Sequence, residues 1–230
     1  MKIGVGIIYH DKLSEFLPAV EKCFSRFDIK KKVVDFKKQP EHEARNEMLS
    51  SFGGYDFVWV IDSDELLTVK DQDKIINKVV NNNLSIGLIH LIDYAAEDRM
   101  IEMRDHCPIV IVKPDVRFYV NRCANLKEYQ VINGVILHHI GFMIKPETAE
   151  WKQKNHWNNA EYKDYMNTVK KTTLPCEMPE EIKMLIKGDK QDDERGSYDN
   201  LSIKEKKRTN RRDGTLHKSG SIGEVKSKAG

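Results

Sequence analysis

The sequence lacks the features that identify a membrane-spanning or disulfide-stabilised protein. No apolar run reaches the roughly 18 to 20 residues that cross a bilayer, so we expect no transmembrane segment. The first ten residues, MKIGVGIIYH, do not form a cleavable signal pattern. Only four cysteines occur in 230 residues, and they include no C-x-x-C pair, which argues against a zinc ribbon, a dithiol redox site or a disulfide scaffold. We therefore expect a cytoplasmic protein whose thiols are reduced and mostly buried.

An excess of charge of one sign is also absent. The chain has 38 Lys and Arg residues against 36 Asp and Glu residues, a net charge of +2. This balance gives no indication that the molecule as a whole binds nucleic acid or a membrane. Hydrophobic residues make up 40% of the chain, which is enough for the core of one main domain.

Hydrophobic periodicity predicts strands and helices in alternation. This alternation is typical of an α/β fold with a mostly parallel central sheet flanked by helices. The predicted strands and extended segments are residues 2–9, 31–36, 55–62, 84–94, 109–120 and 131–142, and the predicted helices are residues 13–27, 41–52, 71–83, 148–171 and 179–188. Trp59 alternates with apolar residues of its strand, so we predict that it belongs to the core.

The composition becomes polar after Pro175, so we predict a main domain over residues 1–175, a helical or polar extension over 176–200 and a flexible basic tail over 201–230. Residues 204–228 hold nine basic and three acidic residues, and nine minus three gives about +6. We interpret this tail either as an unstructured solubilising end, or as a contact for an anionic polymer such as nucleic acid or for an acidic membrane surface.

Three acids stand at the end of the third predicted strand, in FVWVIDSDELLT. Asp62, Asp64 and Glu65 would lie beyond the carboxyl end of a parallel strand, which is where ligands bind in such sheets. One interpretation is an Asp-rich turn that caps the next helix. The other is a site for Mg²⁺ or Mn²⁺, since these ions prefer carboxylate oxygens and commonly bridge one or two protein acids to a substrate phosphate.

Several motifs occur in an order that resembles the family 2 glycosyltransferases of the GT-A fold. They are Arg45-Asn46 on a predicted helix, VWVIDSDE, CPIVIVKPDVRF at 107–118, HHIGF at 138–142, and Lys152 or Lys154. The resemblance covers roughly residues 1–165. It implies a GT-A-type Rossmann-like sheet and a metal-dependent hexosyl- or pentosyltransferase that uses a nucleotide-sugar donor, UDP-linked, and an unknown acceptor such as a glycan, modified nucleic acid or protein.

The resemblance also implies roles for the acid motif. Asp64 would bind Mn²⁺ or Mg²⁺, which neutralises the diphosphate leaving group. His139 would complete the metal shell, with the adjacent His138 as the alternative ligand. Glu65 would orient a neighbouring acid or cap the following helix.

Further residues are implied to bind the donor. Asp62 would face the ribose or the metal shell, and Arg45 would contact the nucleotide or hold the acid motif. Gly4, Gly6 and residues 7–11 would line the nucleotide site, with Tyr9 near the base or His10 near a phosphate. Lys154 would balance the diphosphate charge.

The sequence departs from the family at the catalytic base. An inverting transferase needs a carboxylate to take the acceptor proton, and the family places a His-Glu pair shortly after an R-F segment. Here Cys123-Ala124 stands at that point, and the next acid is Glu128. The base is therefore Glu128, or another acid, namely Asp93, Asp105 or Asp115, unless the enzyme retains configuration and needs no such base.

Two other functions stay open. A metal-dependent phosphatase resembling the haloacid-dehalogenase superfamily also has a strand ending in D-x-D, and KGDKQDD at 187–193 is similar to its later acids. Against it, the acid motif here follows two strand-helix units, and Leu66 stands where that superfamily has Thr or Val. The missing base favours a nucleotide-sugar-binding protein without turnover as the third interpretation.

Overall fold

The computed structural model describes residues 1–35, 38–101, 107–120, 122–124, 129–145, 147–148, 150–151 and 173–187. Several predictions fall outside these residues. They include most of the predicted helix over 148–171, the polar extension after residue 187 and the basic tail, and the candidate site residues Asp105, Glu128 and Lys154.

The described part of the chain alternates strands with helices. The strands are β1 (Ile3–Tyr9), β2 (Asp28–Val33), β3 (Phe57–Asp62), β4 (Glu65–Leu66), β5 (Ile86–Ala96), β6 (Arg99–Ile101), β7 (Ile109–Val112), β8 (Phe118–Val120), β9 (Cys123–Ala124), β10 (Tyr129–His139) and β11 (Thr173–Pro175). The helices are α1 (Leu17–Cys23), α2 (Glu41–Ser50), α3 (Val69–Asn81) and α4 (Glu180–Lys187), and Asp11–Leu13 form a 3₁₀ turn. None of the helices in the described ranges combines the length and the apolar character needed to span a bilayer.

Nine strands of the described residues form one mixed sheet. Its order is β11-β6-β5-β7-β3-β1-β2, with β10 beside β5 and β4 beside β10, while β8 and β9 pair separately as a hairpin. The long strands β1, β2, β3, β5 and β10 point in one direction, and β7 runs antiparallel between β3 and β5. The predicted α/β class with a mostly parallel central sheet is confirmed.

The strand register gathers polar residues at one edge of the sheet. Ile8 of β1 pairs with Asp62, the last residue of β3. Asp93 of β5 pairs with His139, the last residue of β10. Because parallel strands end at the same edge, Tyr9, Asp62, Asp93 and His139 lie at what we call the carboxyl edge.

Helices cover both faces of the sheet, which explains why β3 is apolar on both sides. Trp59 and Ile61 belong to the larger core, with residues of α1, α3 and α4, and Val58 and Val60 pack on the other face with α2. Trp59 is fully buried, with ring centroids 5.7 Å from Phe24 and 6.3 Å from Phe27. The prediction that Trp59 is a core residue is confirmed.

The predicted bounds of three elements were wrong for local reasons. Strand β2 covers 28–33 rather than 31–36, because its pairing with β1 begins at Asp28. Helix α1 begins at Leu17 rather than at residue 13, since Pro18 lacks an N–H and suits only a first helical turn. The extended segment 109–120 is broken at Pro114, where the Val116 N–H donates to the Lys113 carbonyl at 3.1 Å in a turn.

Two glycines of β1 allow α2 to approach the sheet closely. A Cβ at Gly4 would lie less than 3.0 Å from the Phe52 ring, and a Cβ at Gly6 would lie less than 3.0 Å from the Met48 side chain. Side chains of α2 and its following turn therefore fill the space beside these two glycines. The close approach also places Arg45 of α2 beside the end of β3.

Candidate functional site

Residues 62–65 form a tight acid turn between β3 and β4. The Asp62 backbone N–H donates to Glu65 Oε2 at 2.9 Å, and Ser63 Oγ donates to the Leu13 carbonyl at 3.1 Å. The turn does not cap the next helix. Helix α3 begins at Val69 with Thr68 as its N-cap, whose Oγ1 accepts from the Asp71 N–H at 3.1 Å. The helix-capping interpretation of the acids is therefore wrong.

Arg45 holds the first acid of the turn. Its side chain is completely buried, and Nη2 donates to Asp62 Oδ1 at 2.7 Å and to Glu41 Oε1 at 2.6 Å. Burial raises the pKa of Asp62, but the positive charges of Arg122 and Arg45 outweigh burial and lower it overall. Asp62 is thus ionised, with one oxygen engaged by Arg45 and a third of its side chain exposed at the carboxyl edge.

Arg122 holds the last acid of the turn and was missed by sequence reasoning. Its Nη1 and Nη2 donate to the two oxygens of Glu65 at 2.5 and 2.6 Å, and Nη2 also donates to the Val60 carbonyl at 2.7 Å. A buried carboxylate of this kind requires a cation. The crowded acids in the sequence indicate that a cation lies near them. They do not indicate that this cation is Arg122, which lies 57 positions after Glu65.

The middle acid faces a different environment. Asp64 Oδ2 lies 3.3 Å from His139 Nε2, and the other ring nitrogen, Nδ1, lies 2.5 Å from Asp93 Oδ1. Burial lowers the pKa of His139, but the two carboxylates outweigh burial and raise it to about 10. The structure thus brings three side chains together, from the acid turn, β5 and β10.

Of the two adjacent histidines, His139 is the one that faces the acid turn, because side chains alternate along β10. His138 is buried, and its Nδ1 lies 2.9 Å from the Tyr94 hydroxyl, with the two rings stacked at 5.7 Å. Burial lowers the pKa of His138 to about 4. His138 is therefore a neutral core residue. His139 is the available ligand, and it would bind a metal through Nε2 with loss of the proton on that nitrogen.

Gly141 allows the Asp64 and His139 side chains to pack directly against it. A Cβ built at residue 141 would lie less than 3.0 Å from both Asp64 Oδ2 and His139 Nε2. Carboxylate oxygen and imidazole nitrogen form a donor pair suited to Mn²⁺. Adjacent ligands of an octahedral ion at about 2.1 Å lie about 3.0 Å apart, close to the 3.3 Å between these two atoms.

The residues present fit a divalent cation that is shared with a substrate. Within the described ranges, no three His, Cys, Asp or Glu side chains are grouped to enclose a metal by themselves. Mg²⁺-type ions usually have only one or two protein ligands, and phosphates and waters complete the shell. Asp64 and His139 would supply the two protein ligands.

Two of the acids considered as catalytic bases, Asp93 and Asp115, are separated by the fold. Asp93 lies at the carboxyl edge, with one oxygen on His139. Asp115 follows β7, whose last residue Val112 pairs with Val58 near the start of β3, so Asp115 lies toward the opposite edge. Ala124 of β9, at the position of the expected His-Glu pair, is buried and carries no titratable group.

The rim of the carboxyl edge near β1 is aromatic. Tyr9 is half-buried at the end of β1, and the rings of His10 and Trp151 lie 4.5 Å apart in a tilted arrangement. Aromatic side chains at such an edge offer a stacking surface for a base.

No protein-family profile matches the chain, and no curated protein matches it in sequence. Solved structures similar to it include S. aureus TarS, with a TM-score of 0.41 and 13% identity over 72% of this chain and 42% of that one. The TarS 1–349 complex with UDP gives a TM-score of 0.42 and 14% identity over 70% and 68% of the two chains. A glycosyltransferase involved in glycosylation of the major capsid of PBCV-1 gives a TM-score of 0.32 and 12% identity over 73% and 100%.

Proposed function

We propose that the chain is a metal-dependent glycosyltransferase that moves a sugar from a UDP-linked donor to an acceptor. The observation that carries the proposal is the pairing of Asp64 with His139 beside Gly141. This pair stands at the carboxyl edge, where a nucleotide diphosphate would bind. The resemblance of the ordered motifs to family 2 glycosyltransferases supports the same function.

The donor would contact the acid turn in a defined way. Asp64 Oδ2 and His139 Nε2 would hold Mn²⁺ or Mg²⁺, and the ion supplies the positive charge that stabilises a diphosphate leaving group. The exposed part of Asp62 would accept hydrogen bonds from ribose hydroxyls, while Arg45 keeps that carboxylate ionised and in place. Tyr9 would pack against the base, and Lys154 would contact the diphosphate.

Asp93 has a positioning role in this scheme. Its contact with His139 Nδ1 fixes the ring so that Nε2 points toward Asp64. One oxygen of Asp93 is thereby engaged, which leaves Glu128 and Asp105 as the proposed bases of an inverting reaction. If neither carboxylate is needed for turnover, the reaction retains configuration instead.

Binding without turnover is the second candidate function. Ala124 is buried where the related enzymes have a His-Glu pair, and this observation favours a protein that binds the donor but does not transfer the sugar. The phosphatase alternative gains no such support. Its nucleophile would be Asp62, and Arg45 donates to Asp62 Oδ1 at 2.7 Å, which weakens that oxygen as a nucleophile.

The acceptor would be a glycan, a modified nucleic acid or a protein. Contact between the basic tail and an anionic polymer predicts that acceptor affinity falls with salt, and that deletion of residues 201–230 reduces this dependence. An unchanged salt dependence after the deletion would remove the tail from the proposal.

Thermal unfolding with UDP-sugars, with and without Mn²⁺, tests the donor and the metal together. We expect the melting temperature to rise only when a UDP-sugar and Mn²⁺ are both present. Incubation with the stabilising donor and detection of released UDP then separates an enzyme from a binding protein. Trapping of phosphate on Asp62 would instead show that the phosphatase alternative is correct.

A further inference from the structure

Arg122 is a buried cation whose hydrogen bonds to described residues all lie in the acid turn or the strand leading into it. Only 13% of its side chain is exposed, and its three hydrogen bonds reach both oxygens of Glu65 and the Val60 carbonyl. Burial lowers the pKa of Arg122, but Asp62 and Glu65 outweigh burial and raise it, so the guanidinium stays charged. The planar guanidinium fits a carboxylate with two parallel bonds, which a lysine cannot do.

These contacts divide the acids of the turn into two kinds. Glu65 has one oxygen bonded to Arg122 Nη1, and the other accepts from Arg122 Nη2 and the Asp62 N–H. Asp62 is paired with Arg45 at 2.7 Å and lies 3.8 Å from Arg122. In these contacts Asp62 and Glu65 are paired with arginines, and Asp64 faces His139.

The hairpin that presents Arg122 is itself fixed to the sheet. The Asn46 side chain donates to the Phe118 carbonyl and accepts from the Phe118 N–H, both at 2.8 Å, and so holds β8 against α2. At the other end of the hairpin Ala124 packs into the core beside α2. Arg122 therefore reaches the acid turn from a segment that is anchored on both sides.

We propose that Arg122 is a positioning residue for the candidate active site. By holding Glu65 and the end of β3, it fixes the turn so that Asp64 alone of the three acids points at His139 and at a bound cation. The part of this inference that concerns the cation rests on the proposed function. The part that concerns the orientation of Asp64 does not, because it applies to the protein without ligand.

The test compares three variants by the imidazole NMR signals of protein carrying ¹⁵N-labelled histidine, with no metal or nucleotide added. Arg122→Gln removes the charge and the two parallel bonds, and Arg122→Lys keeps the charge but not the parallel bonds. Arg117→Gln is the matched control, because Arg117 lies in the same stretch of chain and donates only to the carbonyls of Pro114 and Val116. Mn²⁺ binding to each folded protein is then measured from the EPR signal of the free ion.

We expect Arg122→Gln to shift the ring signals of His139 and to leave those of His138 in place, because only His139 contacts the acid turn. Mn²⁺ affinity should fall by about tenfold or more, the usual cost of losing a group that orients a metal ligand. Arg122→Lys should give a smaller change of the same sign, and Arg117→Gln should resemble the wild type in both measurements.

A lower melting temperature for Arg122→Gln, with unchanged His139 signals and Mn²⁺ affinity, would show a merely structural role and overturn the proposal. If Arg122→Gln does not fold, unchanged His139 signals in folded Arg122→Lys would overturn it equally. If the wild type binds no Mn²⁺, the metal in the proposed function is wrong, while the His139 comparison still decides the role of Arg122.

Discussion

The Asp64 carboxylate and the His139 imidazole meet at the carboxyl edge of the sheet, with 3.3 Å between Oδ2 and Nε2. Strand β4, which follows the acid turn, pairs antiparallel with β10, and this pairing sets Glu65 opposite His139. The contact therefore depends on the strand register rather than on a flexible loop. The two residues carry the proposed function, so they give the most direct predictions.

Replacing Asp64 by asparagine keeps the shape of the side chain but removes its charge. We expect the Mn²⁺-dependent rise in melting temperature with a UDP-sugar to be lost. Sugar transfer should fall about 100-fold or more, because the electrostatic contribution of a catalytic metal amounts to several kcal/mol. Thermal unfolding and release of UDP measure the two effects.

The matched control for this change is Asp73→Asn. Asp73 forms an exposed ion pair with Arg26 at 2.7 Å on the helical surface, and such pairs contribute little to stability. The donor should still raise the melting temperature of Asp73→Asn, and this variant should keep its activity. Full activity of Asp64→Asn would contradict the assignment of Asp64 as a metal ligand.

Gly141 should be essential for ligand binding because Asp64 and His139 pack against it and leave no room for a larger residue. In Gly141→Ala the new methyl group would lie less than 3.0 Å from both Asp64 Oδ2 and His139 Nε2, so it must push the two side chains apart. We expect donor binding to be lost and stability to fall by about 1 to 3 kcal/mol, the usual cost of overpacking. Isothermal titration with a UDP-sugar and Mn²⁺ measures donor binding, and urea unfolding measures the loss of stability.

Gly53→Ala provides the comparison, since a Cβ at Gly53 would meet no atom within 4 Å. This variant should bind the donor as the wild type does. Equal donor affinity in Gly141→Ala and Gly53→Ala would show that the packing of Asp64 and His139 against Gly141 is not part of the site.

The α/β architecture and the position of the acid turn could be predicted from the sequence. Alternating periodicity predicted the α/β sheet, and the position of the acids after a strand buried on both faces predicted the carboxyl edge. The N-cap at Thr68 also has a sequence signal, the Thr-x-x-Asp pattern that ends at Asp71. Asp62-x-x-Glu65 fits a pattern of the same kind, so the cap is decided by the structure, in which Glu65 pairs with His139 in the sheet.

The partners of the acids could not be predicted, because they depend on tertiary packing. Arg45 and Arg122 are buried cations, yet in sequence they do not differ from arginines on a polar surface. Their burial follows from the close packing of α2 on Gly4 and Gly6 and from the docking of the β8-β9 hairpin. It could likewise not be predicted which of His138 and His139 faces the acid turn, because this depends on the register of β10.

Arg45 should contribute to stability through its two carboxylate partners. Arg45→Met preserves much of the buried side-chain volume but leaves Asp62 and Glu41 without their cation. We expect the free energy of unfolding to fall by about 2 kcal/mol, because both carboxylates are partly exposed and regain water. Urea unfolding at neutral pH measures the change.

The exposed Lys38 gives a control for the loss of a basic residue near α2. Its ion pair with Asp35 at 3.0 Å lies on the surface, so Lys38→Met should change stability by less than about 0.5 kcal/mol. A loss in Arg45→Met no larger than in Lys38→Met would show that the Arg45 contacts add nothing to the fold.

Cys23 should make the protein less stable at high pH. Burial raises the pKa of the Cys23 thiol from 9.0 to about 12, with its Sγ donating to the Leu67 carbonyl at 3.1 Å. The folded state therefore keeps the thiol neutral while the unfolded state ionises above about pH 9. The contribution of the Cys23 thiol to the free energy of unfolding is fully present below pH 9 and is lost as the pH rises toward 12.

Urea unfolding of the wild type and Cys23→Ala at about pH 7.5 and about pH 10.5 tests this linkage. The variant is expected to be less stable at the lower pH, because it loses the contacts of the thiol, but its stability should decline less between the two pH values. Cys123→Ala is the control, since Cys123 is exposed and its removal should leave the decline of the wild type unchanged. An equal decline in Cys23→Ala and the wild type would mean that the Cys23 thiol does not link folding to pH.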